Sequence, residues 1–225
     1  MRYVTTVFLP ALGGAPFAPA LSAALAPYDL NDYAHDPFDP AAGWDSWTLP
    51  SSDALPLRRW RRRDPAVVRL APVGVVAAAP KRLVDFDEMR AAAGREASGA
   101  WDAWAKVVRT HPPALPRTHF TEQSEFMLQP AIQEVAQAAV TQRHRYFTFS
   151  VLLADPVTHF GDDRAAFIAR ASTQAFTTHA YLTLDGQWLT QHTADRGWDT
   201  HVAAMTAYLD TLPDDTLIAR VSCHA

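Results

Sequence analysis

Apolar positions along this chain alternate between the two-residue period of strands and the three-to-four-residue period of helices, and the switches mark an α+β order. Arg2 to Leu9 is rich in β-branched and aromatic residues and stops at Pro10, which predicts a first strand. A Gly-Gly turn follows, and Phe17, Leu21 and Leu25, spaced four apart, predict a short helix between Pro16 and Pro27. After Pro65 the run AVVRLAPVGVVAAA is strand-like but interrupted by Pro72 and Gly74, so it reads as an edge strand or as two short ones. Asp85 with Glu88 three residues on has the form of a capping box. Met89, Ala93, Ala97, Trp101, Trp104 and Val108 then carry one helical face as far as Thr110.

Beyond the prolines at 112, 113 and 116, Thr118 to Phe126 reads as strand or loop, and Pro130 opens a helix through about His144. The apolar run Tyr146 to Leu153 predicts a buried central strand. Asp162 is placed to cap a helix reaching about Phe176, Trp198 to Leu212 forms a last helix, and Thr216 to Cys223 a last strand. The pattern predicts a single α+β domain, residues 1–225, in which an antiparallel or mixed β-sheet carries helices mainly on one face. An irregular Trp/Arg-containing segment at about 29–64 would drape over the other face or the sheet edge.

That segment is the least conventional part of the chain. It holds prolines at 37, 40, 50 and 56 and no sustained period, which is long for a structureless connection in a compact domain. Six aspartates lie from Asp29 to Asp53 without a lysine or arginine, and then Arg58, Arg59, Arg61, Arg62 and Arg63 arrive around Trp60. Guanidinium groups present forked donors that match phosphate oxygens, and Trp60 could stack on a base, so Arg58, Arg59, Trp60 and Arg61 are candidate ligand-binding residues. The bland account is a solvated turn whose arginines pair with the aspartates, each exposed pair contributing ~0–1 kcal/mol. Trp44, Asp45 and Trp47 are candidates beside them, although core packing is the default for Trp44 and Trp47, as for Trp101 and Trp104.

The sequence HAYLTL-DG-QWLTQH predicts a hairpin around Asp185-Gly186. With a two-residue loop, Leu184 faces Gln187, Thr183 faces Trp188, Tyr181 faces Thr190 and His179 faces His192. One face would then carry His179, Tyr181, Thr183, Trp188, Thr190 and His192, and the other, with Ala180, Leu182, Leu184 and Leu189, would meet the core. His179 and His192 are thereby candidate ligands for a divalent metal, with His201, Asp195 and His224 as possible neighbours; the alternative is an exposed polar face.

Composition narrows the classes. The 225 residues are 48% hydrophobic, enough for a sizeable core, and 24 acids against 20 bases give a net charge of −4. That balance argues against whole-surface attraction to nucleic acid, leaving at most a local contact. Cys223 is the one cysteine, so neither an internal disulfide nor a cysteine-based zinc site can form within one chain, and a reducing, cytoplasmic setting is expected. The N-terminus has no signal-peptide pattern and no segment approaches a membrane span, so no membrane partner is expected. GxGxxG, GxxxxGK[ST], GxSxG, HExxH and HxE…PCxxC are all missing, and no cofactor is predicted.

Several short motifs occur in a particular order: Pro27-Tyr28-Asp29, Asp39-Pro40…Trp44-Asp45-Ser46-Trp47, Asp85 to Met89, Asp185 to Trp188, and Cys223-His224. This order resembles an uncharacterised family of proteins from bacteriophages and GC-rich bacteria, over about two thirds of the chain and least over Arg117 to Phe160. Ser51-Ser52-Asp53…Arg59-Trp60 stands where that family carries Gly-Gly-Arg-Trp. The resemblance implies a phage accessory or anti-defence role in the host cytoplasm and no particular reaction.

Together these features lead to the expectation of a non-enzymatic binding protein that engages a phosphate-bearing small molecule or a host protein through the Trp/Arg segment. The alternatives are a metal-assisted hydrolase using the hairpin histidines and a homo-oligomeric structural or virion-associated protein.

Overall fold

The computed structural model describes residues 2–29, 46–49, 55–58, 64, 66–70, 75–161, 163–190 and 197–224. Its contacts group into two compact units: a sheet unit of Met1–Glu88 with Phe176–Ala225, and a helical unit of Met89–Ala175.

The sheet unit is built on a seven-stranded mixed sheet. Its strands are β1 (Arg2–Leu9), β2 (Ser46–Thr48), β3 (Val68–Leu70), β4 (Val75–Pro80), β5 (Ala180–Leu182), β6 (Trp188–Thr190) and β7 (Leu217–His224). The order is β3-β4-β7-β1-β5-β6, with β2 also paired to β7. β1 and β7 run antiparallel along their whole lengths, from Arg2 opposite His224 to Leu9 opposite Leu217. β5 lies parallel to β1. Along its other edge β7 pairs first with β4, from Leu217 to Ala219, and then with β2, from Ser222 to His224.

Pleating divides the core. On one face Val7, Leu9, Ala180, Leu182, Trp188, Ala219 and Val221 meet Leu21 and Leu25 of helix α1 (Phe17–Leu25), the two leucines being fully buried. Each such leucine contributes about 1.5–3 kcal/mol relative to exposure. On the opposite face Phe8 packs edge-on against Tyr181 and against Tyr208 of helix α8 (Trp198–Thr211).

The helical unit holds most of α2 (Phe86–Thr110), then α3 (Gln123–Met127), α4 (Pro130–Thr141), α5 (Phe149–Leu153), α6 (Pro156–His159) and α7 (Arg164–Gln174). α2 begins as expected: Asp85 accepts a hydrogen bond from the Glu88 amide at 3.0 Å. The core of this unit gathers Trp104, Phe126, Ile132, Val135, Phe147, Phe160 and Phe167, with Trp104 stacked on Phe160 at 5.6 Å.

The run Tyr146 to Leu153 is not a central strand. Thr148 accepts a bond from the Val151 amide and starts α5, which leaves Phe149 58% and Leu153 73% exposed while Phe147 alone is buried. Thr118 to Phe126 is likewise helical in part, as a 3-10 turn at Arg117–His119 followed by α3. α4 stops at Thr141 because Gln142 turns left-handed at φ 51. Asp163 caps α7 through the Ala166 amide; Asp162 lies outside the described residues. No helix among the described residues is long and apolar enough to cross a membrane.

Candidate ligand pocket

Within the sheet unit a cavity of about 380 Å³ opens beside the turn that leads from β1 into α1. Leu12 accepts the Ala15 amide at 2.8 Å and closes that turn, with Gly13 at φ 56 and Gly14 at φ 95. Side chains are strained in this conformation, so the backbone itself calls for glycine here. A Cβ at either position would meet nothing within 4 Å, which leaves the peptide groups open to close approach. α1 begins immediately afterwards. Pro16 provides no side-chain cap, and the first turn contains no acid. The amides of Phe17 and Ala18 thus remain as orphan donors at the positive end of the helix.

The opposite wall is set by a backbone junction. Lys81 N–H donates to Thr216 O at 2.8 Å and Arg82 N–H to Asp214 O at 3.0 Å, extending the β4–β7 pairing past Pro80. The Lys81 ammonium donates to Leu212 O at 2.7 Å, just past the end of α8, where a cation is favoured. Arg82 and Asp215 are therefore held at the rim, both exposed and with no ion pair or hydrogen bond between their side chains. Phe17, Val68, Pro80 and Leu217 supply apolar lining.

Both ends of the arginine-rich stretch are tied to this neighbourhood. Leu57 bridges antiparallel to Val84, and the Arg58 amide donates to Leu83 O at 3.1 Å, next to Arg82. At the other end Asp64 forms a turn, its carboxylate accepting from the Ala66 amide at 3.0 Å and its carbonyl from the Val67 amide at 3.1 Å. Ala66 and Val68 then line the cavity.

Of the residues singled out from sequence, Arg58 is exposed at that anchor. Trp47 belongs to β2, opposite Cys223, and packs half-buried against the sheet core. Trp44, Asp45, Arg59, Trp60 and Arg61 lie outside the described residues.

The hairpin differs from its expectation by one residue. Ala180 pairs with Thr190, Tyr181 with Leu189 and Leu182 with Trp188. The Thr183 amide donates to Gln187 O at 3.0 Å, and the Gln187 amide donates to the Thr183 hydroxyl at 2.8 Å. A three-residue loop is thereby closed over Gly186 at φ 81. The slip moves the β6 residues to the opposite face, so that Trp188 and Thr190 join Ala180 and Leu182 while Leu189 joins Tyr181. Trp188 is buried beside Leu182 and stacks on Tyr28 at 5.3 Å, and Tyr181 is buried beneath α8. Among the described residues, the polar face expected to join His179, Tyr181 and Thr183 with Trp188 and Thr190 therefore does not form.

The pairing of His179 with His192 loses its geometric premise: His179 is exposed ahead of β5, and His192 lies outside the described residues. Among the described residues no group of three or more His, Cys, Asp or Glu side chains is placed to hold a metal ion.

His201 is instead a core histidine, 3% exposed, its Nε2 donating to Thr178 O at 2.8 Å between the rings of Tyr181 and Trp198. Burial holds its pKa below the usual imidazole value, the Thr178 carbonyl opposes this, and His179 adds to the depression. Burial likewise pushes the Cys223 thiol up to about 11, which makes it a poor nucleophile.

Arg82 and Asp215 were not singled out from sequence. The available signal was the Gly-Gly turn between a strand and a helix, a weak one taken alone. No family model, curated protein or solved structure matches this chain.

Proposed function

We propose that this protein is a non-enzymatic binding protein for a small phosphate-bearing ligand, held in the cavity between the Gly13-Gly14 turn and Arg82. One observation carries this reading: the described residues that flank the arginine-rich stretch, Arg58 bonded to Leu83 O next to Arg82 and Ala66 in the cavity wall, both lie beside a cavity that already presents open glycine backbone, an uncapped helix start and an arginine. Open amides and the positive end of a helix favour an anion, and a guanidinium at the rim adds the forked donors that phosphate oxygens match. The metal-assisted hydrolase alternative depended on His179 facing His192, and the hairpin register removes that basis.

Isothermal titration of the whole chain against inorganic phosphate and phosphorylated small molecules tests the proposal. Saturable binding is expected, weakened at least tenfold by Arg82→Ala and also reduced by Arg59→Ala or Trp60→Ala. Absence of binding across the panel, or binding indifferent to Arg82, would refute it.

A further inference from the structure

Resting on that reading, we infer that the ligand is a nucleoside monophosphate, its phosphate at the Gly13-Gly14 and Arg82 side and its sugar hydroxyls at Asp215. A site for inorganic phosphate would gain nothing from a carboxylate in its wall, because an ionised Asp accepts hydrogen bonds only and repels a second anion. Asp215 nevertheless lines the cavity with Arg82, and no hydrogen bond or ion pair joins their side chains. Their coexistence at one rim suits a ligand that carries an anion and, a few ångströms away, hydroxyl or amino donors. A phosphorylated sugar has both.

The rest of the wall selects further. Leu12, Phe17, Val68 and Leu217 form an apolar flank that neither a phosphate nor a pentose would fill. A flat base would cover it and take it out of water. At about 380 Å³ the cavity lies at the lower end of the ~300–1,000 Å³ range of small-molecule sites, matched to one nucleotide rather than a dinucleotide. Gly14 has no side chain to stand between the incoming group and the backbone, so the phosphate can rest against the turn.

The test compares a ribonucleoside monophosphate series, the parent nucleosides and inorganic phosphate by titration calorimetry on the whole chain and on two variants, Arg82→Ala and Asp215→Asn. Both sites are exposed, and unchanged circular dichroism and melting temperature establish that each variant is folded. At least one nucleoside monophosphate is expected to bind ten or more times tighter than its nucleoside and than phosphate. Asp215→Asn should weaken that nucleotide about fivefold or more and leave phosphate binding unchanged or stronger, whereas Arg82→Ala should weaken both. Phosphate binding that depends on Arg82, with nucleotides no tighter, would overturn the nucleotide assignment and leave the phosphate site standing. Equal weakening of phosphate and nucleotide by Asp215→Asn would also overturn it. Binding of nothing in the series would overturn both.

Discussion

Asp155 is the residue on which the helical unit should depend most sharply. It is 8% exposed and its backbone has φ 60, a positive angle made less favourable still by Pro156 directly after it. Its carboxylate accepts three bonds: the Arg117 amide at 2.9 Å, the Val157 amide at 3.1 Å and the Thr158 hydroxyl at 2.7 Å. One side chain thus caps α6 and ties the 3-10 turn at Arg117 to it, 38 residues away in sequence.

Bonds to a charged acceptor are worth about 1.5–3 kcal/mol each, and three that share one group are not additive, so Asp155→Ala should cost about 3–5 kcal/mol. Alanine also keeps the positive φ, a burden of about 1–3 kcal/mol for a non-glycine residue. Asp155→Gly loses the same bonds but relieves that strain, against about 0.5–1 kcal/mol of added backbone entropy, and should fall slightly short of alanine. Asp155→Asn tolerates the backbone and retains an acceptor for part of the set, so it should be the mildest. Urea unfolding followed by tryptophan fluorescence, to which buried Trp104 contributes, reads the order Asn, then Gly, then Ala. An alanine variant within about 0.5 kcal/mol of the parent, or one no worse than asparagine, would refute the assignment of this clamp.

Two glycines of α2 should respond in opposite senses to alanine. Gly94→Ala gains about 1 kcal/mol of helix propensity and has only the rotatable Ser172 hydroxyl 2.8 Å from the new Cβ, so chemical denaturation should show it neutral or stabilised. Gly99→Ala meets the Tyr146 ring, with three of its atoms within 3.1 Å, and the same measurement should show a net loss of about 1–3 kcal/mol. For pH, the folded-state pKa values of His201 and His159 are both lowered mainly by burial. The unfolded chain therefore binds more protons, and the stability these groups contribute is present above pH ~6.5 and lost as pH falls toward their folded pKa values. Melting temperatures from pH 7.5 to 5 should decline, and His201→Gln should flatten part of the decline; an unaltered slope would remove His201 from the account. Cys223, fully buried with its thiol raised to about 11, should resist an aromatic disulfide reagent at pH 8 until the chain is unfolded, whereas rapid native labelling would contradict its place in the sheet core.

What could be read from sequence was local. α2 declared itself because Asp85, Glu88 and the apolar stripe all act within a few turns of one helix, and α1 and β1 did so for the same reason. The hairpin declared its existence but not its register: the Thr183 hydroxyl receives the Gln187 amide and closes a three-residue loop where Asp185-Gly186 alone suggested two. Tyr146 to Leu153 misled because a run of eight residues, six of them apolar or aromatic, suits a buried strand and a short helix equally well, and Thr148 settled it by capping. The cavity was illegible for a different reason. Its walls come from residues 11–17, 66–68, 80–82 and 215–217, brought together only when β7 pairs with β1 on one edge and β4 on the other. The arginine cluster was conspicuous as composition, yet composition cannot say what its ends are fastened to. The described residues on either side of it, Arg58 bonded at Leu83 and Ala66 in the cavity wall, point to Arg82, a lone arginine in the sequence, as the residue whose loss should matter most.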